Sequence, residues 1–197
     1  MNTRIVATLL LLGFPALPLY AGEPEARFPV SMEHGPIQAT ELQGALQLLG
    51  VNMYRFSYSV PFVHAIKYRA CAYVSGKEQP LGDGDVKGLE PGKQAITVIT
   101  RKSEGMLDLT VTCGRDSDVP RNLLGGEKRA VPLSLDGYGP RGSSVPPNVT
   151  LEAGKEVPIW VFSASSGQWS MFTGRESIQD YAKRTDLVVV VYVTLLG

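Results

Sequence analysis

The sequence predicts an all-β fold, an antiparallel β-sandwich of two packed sheets with about eight to ten short strands and one or two short helices. Two observations support this prediction. Apolar side chains recur at every second position through most of the chain beyond residue 50, and clusters of Gly, Pro, Asp and Ser separate these short runs. Long amphipathic helices do not alternate with the runs, which argues against a parallel α/β sheet and leaves a closed barrel as the second topology.

The first 21 residues have the features of a secretory signal peptide. Arg4 precedes a short apolar stretch over 5–12, glycine and proline then interrupt it, and Ala21 offers a small residue for cleavage. The apolar stretch is too short to span a bilayer. We therefore expect a secreted or periplasmic protein whose exported part has 176 residues, a length that suits one domain.

The exported part divides into an arm and a single domain. Residues 22–39 contain three prolines and no hydrophobic period, which predicts an irregular N-terminal arm. The β-sandwich domain is expected over 40–197. It starts with a capping-box pattern at Thr40, followed by leucines at helical spacing and then Gly50, and this pattern predicts a short helix over 41–49.

The strands of the domain follow from alternation and from turn residues. They are expected over 54–60, 63–74, 94–100, 106–114, 129–135, 148–152, 157–164, 168–172 and 187–196. Five residues that end in Gly105 join the fourth of these strands to the third, which predicts a hairpin. Turn-rich composition predicts loops over 75–93 and 137–148, and a second short helix is expected over 176–184.

Charge and hydropathy argue against two classes of partner. The chain has 19 basic and 19 acidic residues, so loss of Arg4 leaves a formal charge of −1 on the exported part. This balance favours neither nucleic acid nor an anionic membrane surface, although a small local basic patch is compatible with it. No segment of the exported part predicts a membrane span. The apolar segment 187–196 has about half the needed length and is rich in β-branched residues, so we expect a buried strand.

The two cysteines, Cys71 and Cys113, are compatible with a disulfide in an oxidising compartment or with two free thiols. Cys113 shares its strand face with apolar residues and is expected in the core. Cys71 shares its face with Lys67 and Arg69, so a bulge near residues 70–72 would be needed to turn it inward.

No motif in the sequence points to a catalytic site, a metal or a cofactor, and we expect no cofactor. His64 and Cys71 are seven residues apart on one strand and therefore on opposite faces, which argues against a catalytic dyad. The G-x-S-x-G and S-x-x-K patterns of serine hydrolases are missing from the sequence.

Hydrolysis by a pair of carboxylates is compatible with the sequence, because the two members of such a pair are often distant along the chain. The candidate glutamates are Glu33, Glu41, Glu104, Glu152, Glu156 and Glu176. No pattern singles out two of them.

Three side chains are candidates for contact with a ligand or a partner. Tyr138 and Arg141 belong to a Gly- and Pro-rich loop, where side chains are usually exposed. Trp169 is a third candidate, because exposed tryptophans stack on sugar rings or anchor interfaces. Trp160 is expected in the core instead, because apolar residues occupy both faces of its strand.

These observations lead to an exported β-sandwich that acts as a non-catalytic binding or structural module, with a carbohydrate or another exported protein as its candidate partner. The enzymatic alternative is an extracytoplasmic hydrolase that cleaves glycan or peptide bonds with two carboxylates. A third hypothesis is an assembly protein that pairs through 187–196, which requires this strand to lie at a sheet edge.

Overall fold

A computed structural model of the chain describes residues 29–35, 46, 48–115, 133–139, 141–146, 149–168 and 170–197. Within these ranges the fold is nearly all β, with two antiparallel sheets packed against each other. The predicted fold class is therefore confirmed. The signal peptide predicted over 1–21 lies outside the described residues, as do most of the arm and most of the helix predicted over 41–49.

The described strands are β1 (Val30–Gly35), β2 (Val51–Val60), β3 (His64–Val74), β4 (Lys77–Leu89), β5 (Gly92–Ser103), β6 (Met106–Arg115), β7 (Leu133–Ser134), β8 (Arg141–Ser144), β9 (Thr150–Leu151), β10 (Glu156–Ala164) and β11 (Leu187–Leu196). A short helix, α1 (Ile178–Lys183), lies between the last two strands. The first sheet has the order β7-β6-β5-β2-β1-β9, and the second has the order β4-β3-β11-β10-β8.

Two hairpins show how local sequence sets the pairing. Ser75 and Gly76 join β3 to β4 with φ angles of 49° and 76°. Glu104 and Gly105 join β5 to β6 with φ angles of 47° and 77°. Two positive φ angles in a two-residue loop match the right-handed twist of the flanking strands, and glycine adopts the second of them without steric cost. The hairpin predicted from Gly105 is confirmed.

The core lies between the two sheets. Alternate residues of β11, from Leu187 to Leu195, face the first sheet together with Trp160 and Phe162 of β10. Trp160 and Phe162 are completely buried, and their rings stack with centroids 6.3 Å apart. Burial of such large apolar side chains contributes about 1.5–3 kcal/mol each to folding. The prediction that Trp160 fills the core is confirmed.

The second sheet is buried on its outer face as well. Helix α1 places Ile178, Tyr181 and Ala182 against Val188 and Val190, and these residues form a second apolar cluster. This arrangement explains why β11 is apolar at almost every position, since both of its faces are covered. It also confirms the short helix predicted over 176–184.

β11 lies in the middle of the second sheet, hydrogen-bonded to β3 on one side and to β10 on the other. Its residues from Leu187 to Val193 are all buried. A strand in this position has no free edge. The hypothesis of assembly through 187–196 is therefore wrong.

Four local predictions are wrong. Residues 30–35 of the predicted arm form β1, which pairs with β2 and β9. Most of the loop predicted over 75–93 is the edge strand β4, and the loop predicted over 137–148 contains β8. Both strands lie at edges, where glycine, proline and charged residues are tolerated. The strand predicted over 168–172 is not formed at residues 168 and 170–172.

Candidate functional site

The two cysteines are free, and the disulfide considered from the sequence is not formed. Cys113 packs against the core between the sheets, whereas Cys71 belongs to the apolar cluster beneath α1. The second sheet therefore separates the two thiols. A bulge does occur next to Cys71, but its extra residue, Leu81, is in β4, so Cys71 keeps its outward orientation. Burial raises the pKa of the Cys71 thiol to about 11.

His64 is buried on the opposite face of β3 from Cys71, as the spacing predicted. Its Nδ1 lies 3.1 Å from the carbonyl oxygen of Phe62, and its Nε2 lies 3.1 Å from the hydroxyl oxygen of Tyr58. A carbonyl can only accept, so Nδ1 carries the proton and the Tyr58 hydroxyl donates to Nε2. Burial lowers the pKa of His64. This histidine is a neutral part of the core.

The three predicted contact residues have different positions. Arg141 is exposed at the start of β8. Tyr138 is half-buried and packs against the core, and the neighbouring Gly139 donates a backbone hydrogen bond to the Ser165 carbonyl. Trp169 lies outside the described residues. Neither Tyr138 nor Arg141 lines the pocket described next.

A pocket of about 380 Å³ opens on the outer face of the second sheet, beside the start of α1. Its volume is at the lower end of the range of about 300–1,000 Å³ that is usual for ligand sites. Strands of the sheet form one side of the pocket, and the segment from Phe172 into α1 forms the other. The lining residues are Arg69, Pro146, Glu156, Pro158, Phe172, Gly174, Glu176, Ser177, Ile178, Gln179 and Tyr192.

Arg69 holds the sheet side of the pocket together. Its Nε and Nη2 atoms donate to the two carboxylate oxygens of Glu156 at 2.8 and 2.7 Å, and Nη1 donates to Glu78. The guanidinium also lies over the ring of Tyr192, 4.7 Å from its centroid. A bidentate pair combined with ring stacking fixes the guanidinium in one orientation. Residues from β4, β3, β11 and β10 are thereby joined across the sheet.

Two tyrosines extend this network. The Tyr73 hydroxyl donates to the Glu78 carboxylate at 2.9 Å. The Tyr73 oxygen also lies 3.3 Å from the Tyr192 hydroxyl oxygen. Because the Glu78 carboxylate can only accept, the Tyr73 proton is used in that bond, and the Tyr192 hydroxyl donates to the Tyr73 oxygen. Burial raises the pKa of Tyr192 to about 12, so both phenols stay neutral at physiological pH.

The helix side of the pocket is built by local capping. The Ser177 hydroxyl accepts from the Asp180 backbone N–H at 3.1 Å and donates to the Asp180 carboxylate at 2.8 Å. This N-cap starts α1 so that Ile178 and Tyr181 turn inward while Gln179 remains exposed at the pocket. No side-chain hydrogen bond to a described residue occupies the Gln179 amide. On the helix side of the pocket, the Gln179 amide can therefore hydrogen-bond to a ligand.

Two of the glutamates considered as hydrolytic candidates, Glu156 and Glu176, line the same pocket. Each is already paired with an arginine, Glu156 with Arg69 and Glu176 with Arg184. The hydrogen bonds from Arg69 lower the pKa of the Glu156 carboxyl. A carboxyl held ionised in this way is suited to accept hydrogen bonds and poorly suited to donate a proton.

Comparison with protein-family models, with curated proteins and with solved structures finds no match to this chain. Within the described ranges, no group of three or more His, Cys, Asp or Glu is placed to hold a metal ion. No helix in those ranges has both the length and the apolar composition that a membrane crossing requires.

Sequence reasoning missed Arg69, Tyr73 and Tyr192, although it included Glu156 among the acidic candidates. One signal was present. Arg69 and Tyr73 share the face of β3 that lies opposite the small and apolar residues of the core. This alternation could have indicated polar side chains with a function on the outer face of the strand. Their partners are too distant in the sequence to be recognised before the strand order is known.

Proposed function

We propose that this chain is an exported, non-catalytic binding module and that the pocket beside α1 is its ligand site. The observation that carries the proposal is a concave site with a rigid polar wall, the Arg69–Glu156 pair, facing an uncommitted amide at Gln179. Sites of this kind bind ligands without large rearrangement, because the polar groups are already held in place.

The chemistry of the pocket favours an uncharged ligand with several hydroxyl groups, which is the chemistry of a carbohydrate. Each ionised carboxylate has about four lone-pair sites, and the pairing of Glu156 with Arg69 leaves some of them available to accept from hydroxyls. Gln179 can both donate and accept. Pro146, Pro158 and Phe172 supply apolar walls against which the C–H face of a sugar ring could pack.

The second candidate function is hydrolysis, because two glutamates line one pocket. The lowered pKa of Glu156 weighs against it, since a glycosidase needs one carboxylic acid that stays protonated near neutral pH. We therefore place binding first.

A glycan array probed with the purified protein tests the proposal, followed by titration calorimetry of each glycan that binds. Gln179→Ala is expected to weaken binding about tenfold, as for loss of one well-placed hydrogen bond to a polar ligand. Gln79→Ala is the matched control, because Gln79 is an exposed glutamine on β4 that does not line the pocket.

Binding that is unchanged by both Gln179→Ala and Glu156→Gln would contradict the assignment of this pocket. Release of reducing ends from a bound glycan, abolished by Glu156→Gln, would support the hydrolase instead.

Export rests on the predicted signal peptide. Expression of the full chain in a bacterium is expected to yield a periplasmic or secreted form that begins near residue 22. Mass spectrometry of the fractionated protein measures this, and an intact N-terminus in the cytoplasm would contradict it.

A further inference from the structure

Two cations face each other at the end of the sandwich where β5 meets its hairpin turn and β8 begins. Lys102 is on β5, where alternate residues from Gln94 onward point between the sheets, so it is the last inward position before the hairpin turn. Arg141 is on β8, directly across from Ala164, which also faces the core. Because directly paired residues share a sheet face, Arg141 projects inward from the second sheet as Lys102 does from the first.

The residues beneath Lys102 at this end of the sandwich are buried and mostly apolar. The Lys102 Nζ lies 5.3 Å from the centroid of the Phe162 ring, and Phe162 is completely buried. Thr100 and Leu107, which flank Lys102 in the first sheet, are buried as well. Lys102 is half-buried over these residues, so its ammonium group has lost part of its hydration.

No carboxylate compensates the two charges within the described part of the chain. Three acidic residues belong to the turns and strand ends at this end of the sandwich, namely Glu104, Asp136 and Asp186. Glu104 is exposed in the hairpin turn, and Asp136 accepts from Ser134. Asp186 accepts from Ser165 and Ser166 at the end of β10. None of the three forms an ion pair with Lys102 or Arg141.

An unpaired, partly desolvated cation beside a second cation is electrostatically costly. The pKa of Lys102 is lowered, first by burial and then by the charge of Arg141. A bound anion would remove both effects. An arginine fork and a lysine ammonium on two facing walls form a donor set that suits the tetrahedral or planar oxygens of an oxyanion.

We propose that the end of the sandwich between Lys102 and Arg141 binds an oxyanion, such as a phosphate or sulfate group. This site is distinct from the pocket beside α1. The two lie at opposite ends of β10, because Glu156 begins this strand and Ala164 ends it. Eight residue steps of extended chain separate them, roughly 25 Å.

Inorganic phosphate and inorganic sulfate, titrated into the purified protein at constant ionic strength with chloride, test the proposal by NMR chemical shift. Lys102→Met and Arg141→Gln are each expected to reduce the affinity about tenfold or more, as for loss of a charge-assisted contact. Lys67→Met and Arg101→Gln are the matched controls, because both residues are exposed on the outer faces of their sheets, opposite the inward side on which Lys102 and Arg141 lie. They should leave the affinity unchanged.

A second readout does not depend on the variants folding. The pKa of the Lys102 ammonium, followed by NMR in the unmodified protein, is expected to rise when phosphate is added, because binding of an anion and of a proton at Lys102 are reciprocally linked. Absence of phosphate and sulfate binding, or binding with no change in the Lys102 pKa, would overturn the proposal. Equal loss of affinity in the control variants would overturn it too, since it would indicate nonspecific attraction.

A third arm distinguishes a free anion from an anionic substituent of a larger ligand. Glucose 6-phosphate is compared with inorganic phosphate at the same site. Equal affinity supports a site for the free oxyanion, and higher affinity of the sugar phosphate supports recognition of an oxyanion carried by a carbohydrate. Failure of this site leaves the glycan proposal for the other pocket untouched, because neither Lys102 nor Arg141 lines that pocket.

Discussion

The ring of Tyr68 covers the backbone of Gly84, its partner across β3 and β4. A Cβ atom on residue 84 would lie 2.5 Å from the Tyr68 hydroxyl oxygen and 2.6 Å from the adjacent ring carbon. An aromatic ring over a glycine on the neighbouring strand shields the backbone at a position that has no side chain of its own. This contact allows a glycine in the edge strand β4.

Gly84→Ala is expected to destabilise the protein by about 1–3 kcal/mol, because the added methyl must displace the Tyr68 ring. Urea denaturation measures the change in the free energy of unfolding. Gly114→Ala is the matched control, since Gly114 lies in β6 with no positive φ and no atom of the described residues lies within 4 Å of its added Cβ. In a Tyr68→Ala background the cost of Gly84→Ala should disappear, and full additivity of the two substitutions would contradict the steric explanation.

His64 predicts how stability depends on pH. Its pKa in the folded protein is lowered below 6.5, because burial disfavours the charged form. A depressed folded-state pKa means that the unfolded chain takes up the proton more readily, so stability is fully present above pH 6.5 and falls as the pH decreases below it. Urea denaturation from pH 8 to pH 5 measures this. Burial lowers the pKa of His34 in the same direction, but His34 is the more exposed of the two side chains, so His64→Gln should flatten the profile more than His34→Gln.

The contribution of the Arg69 network to the free energy of unfolding can be tested by substitution. Arg69→Ala leaves Glu78 and Glu156 without their shared cation and is expected to cost about 1–2 kcal/mol, a value reduced because these side chains are 30–43% exposed. Lys87→Ala is the comparison, because Lys87 is a cation of β4 that pairs with Asp85 at 3.2 Å and is 80% exposed. It should cost less than about 0.5 kcal/mol. Equal costs would contradict a structural role for the Arg69 network.

The burial and the free state of the two thiols can be tested with a thiol reagent. Cys71 is fully buried with a raised pKa, so it should not react with a thiol reagent such as dithionitrobenzoate in the native protein. Denaturation should expose both thiols to the reagent. Dithiothreitol should leave the thermal midpoint unchanged, and a protein mass lowered by two hydrogens would contradict the free state of Cys71 and Cys113.

The sequence was sufficient to predict the parts of the fold that depend on local patterns. β11 was recognised with correct bounds because a run of ten apolar and β-branched residues is too short for a membrane span and favours a buried strand. The hairpin at Gly105 was recognised because its turn has few allowed backbone conformations. β4 was not recognised, because its glycines, proline and aspartates indicate turns unless the neighbouring strand and the covering Tyr68 ring are known.

The pocket could not be predicted, for a related reason. Arg69, Glu156 and Tyr192 meet because three strands from distant parts of the chain become neighbours with a particular register. Alternation shows which residues share a face within one strand, but it contains no information on which strands are adjacent. The proximity of Lys102 and Arg141 depends in the same way on how the two sheets face each other.

The order of the strands along the chain has a consequence for how the protein is made. β3 and β10 both precede β11, which must insert between them, and the pair Ala65 and Leu196 joins residues from nearly opposite ends of the domain. During synthesis, the second sheet therefore stays in two pieces with unpaired edges until residues 187–196 have emerged. We expect an interrupted chain to be bound by chaperones or to aggregate, whereas the first sheet can already pair its main strands.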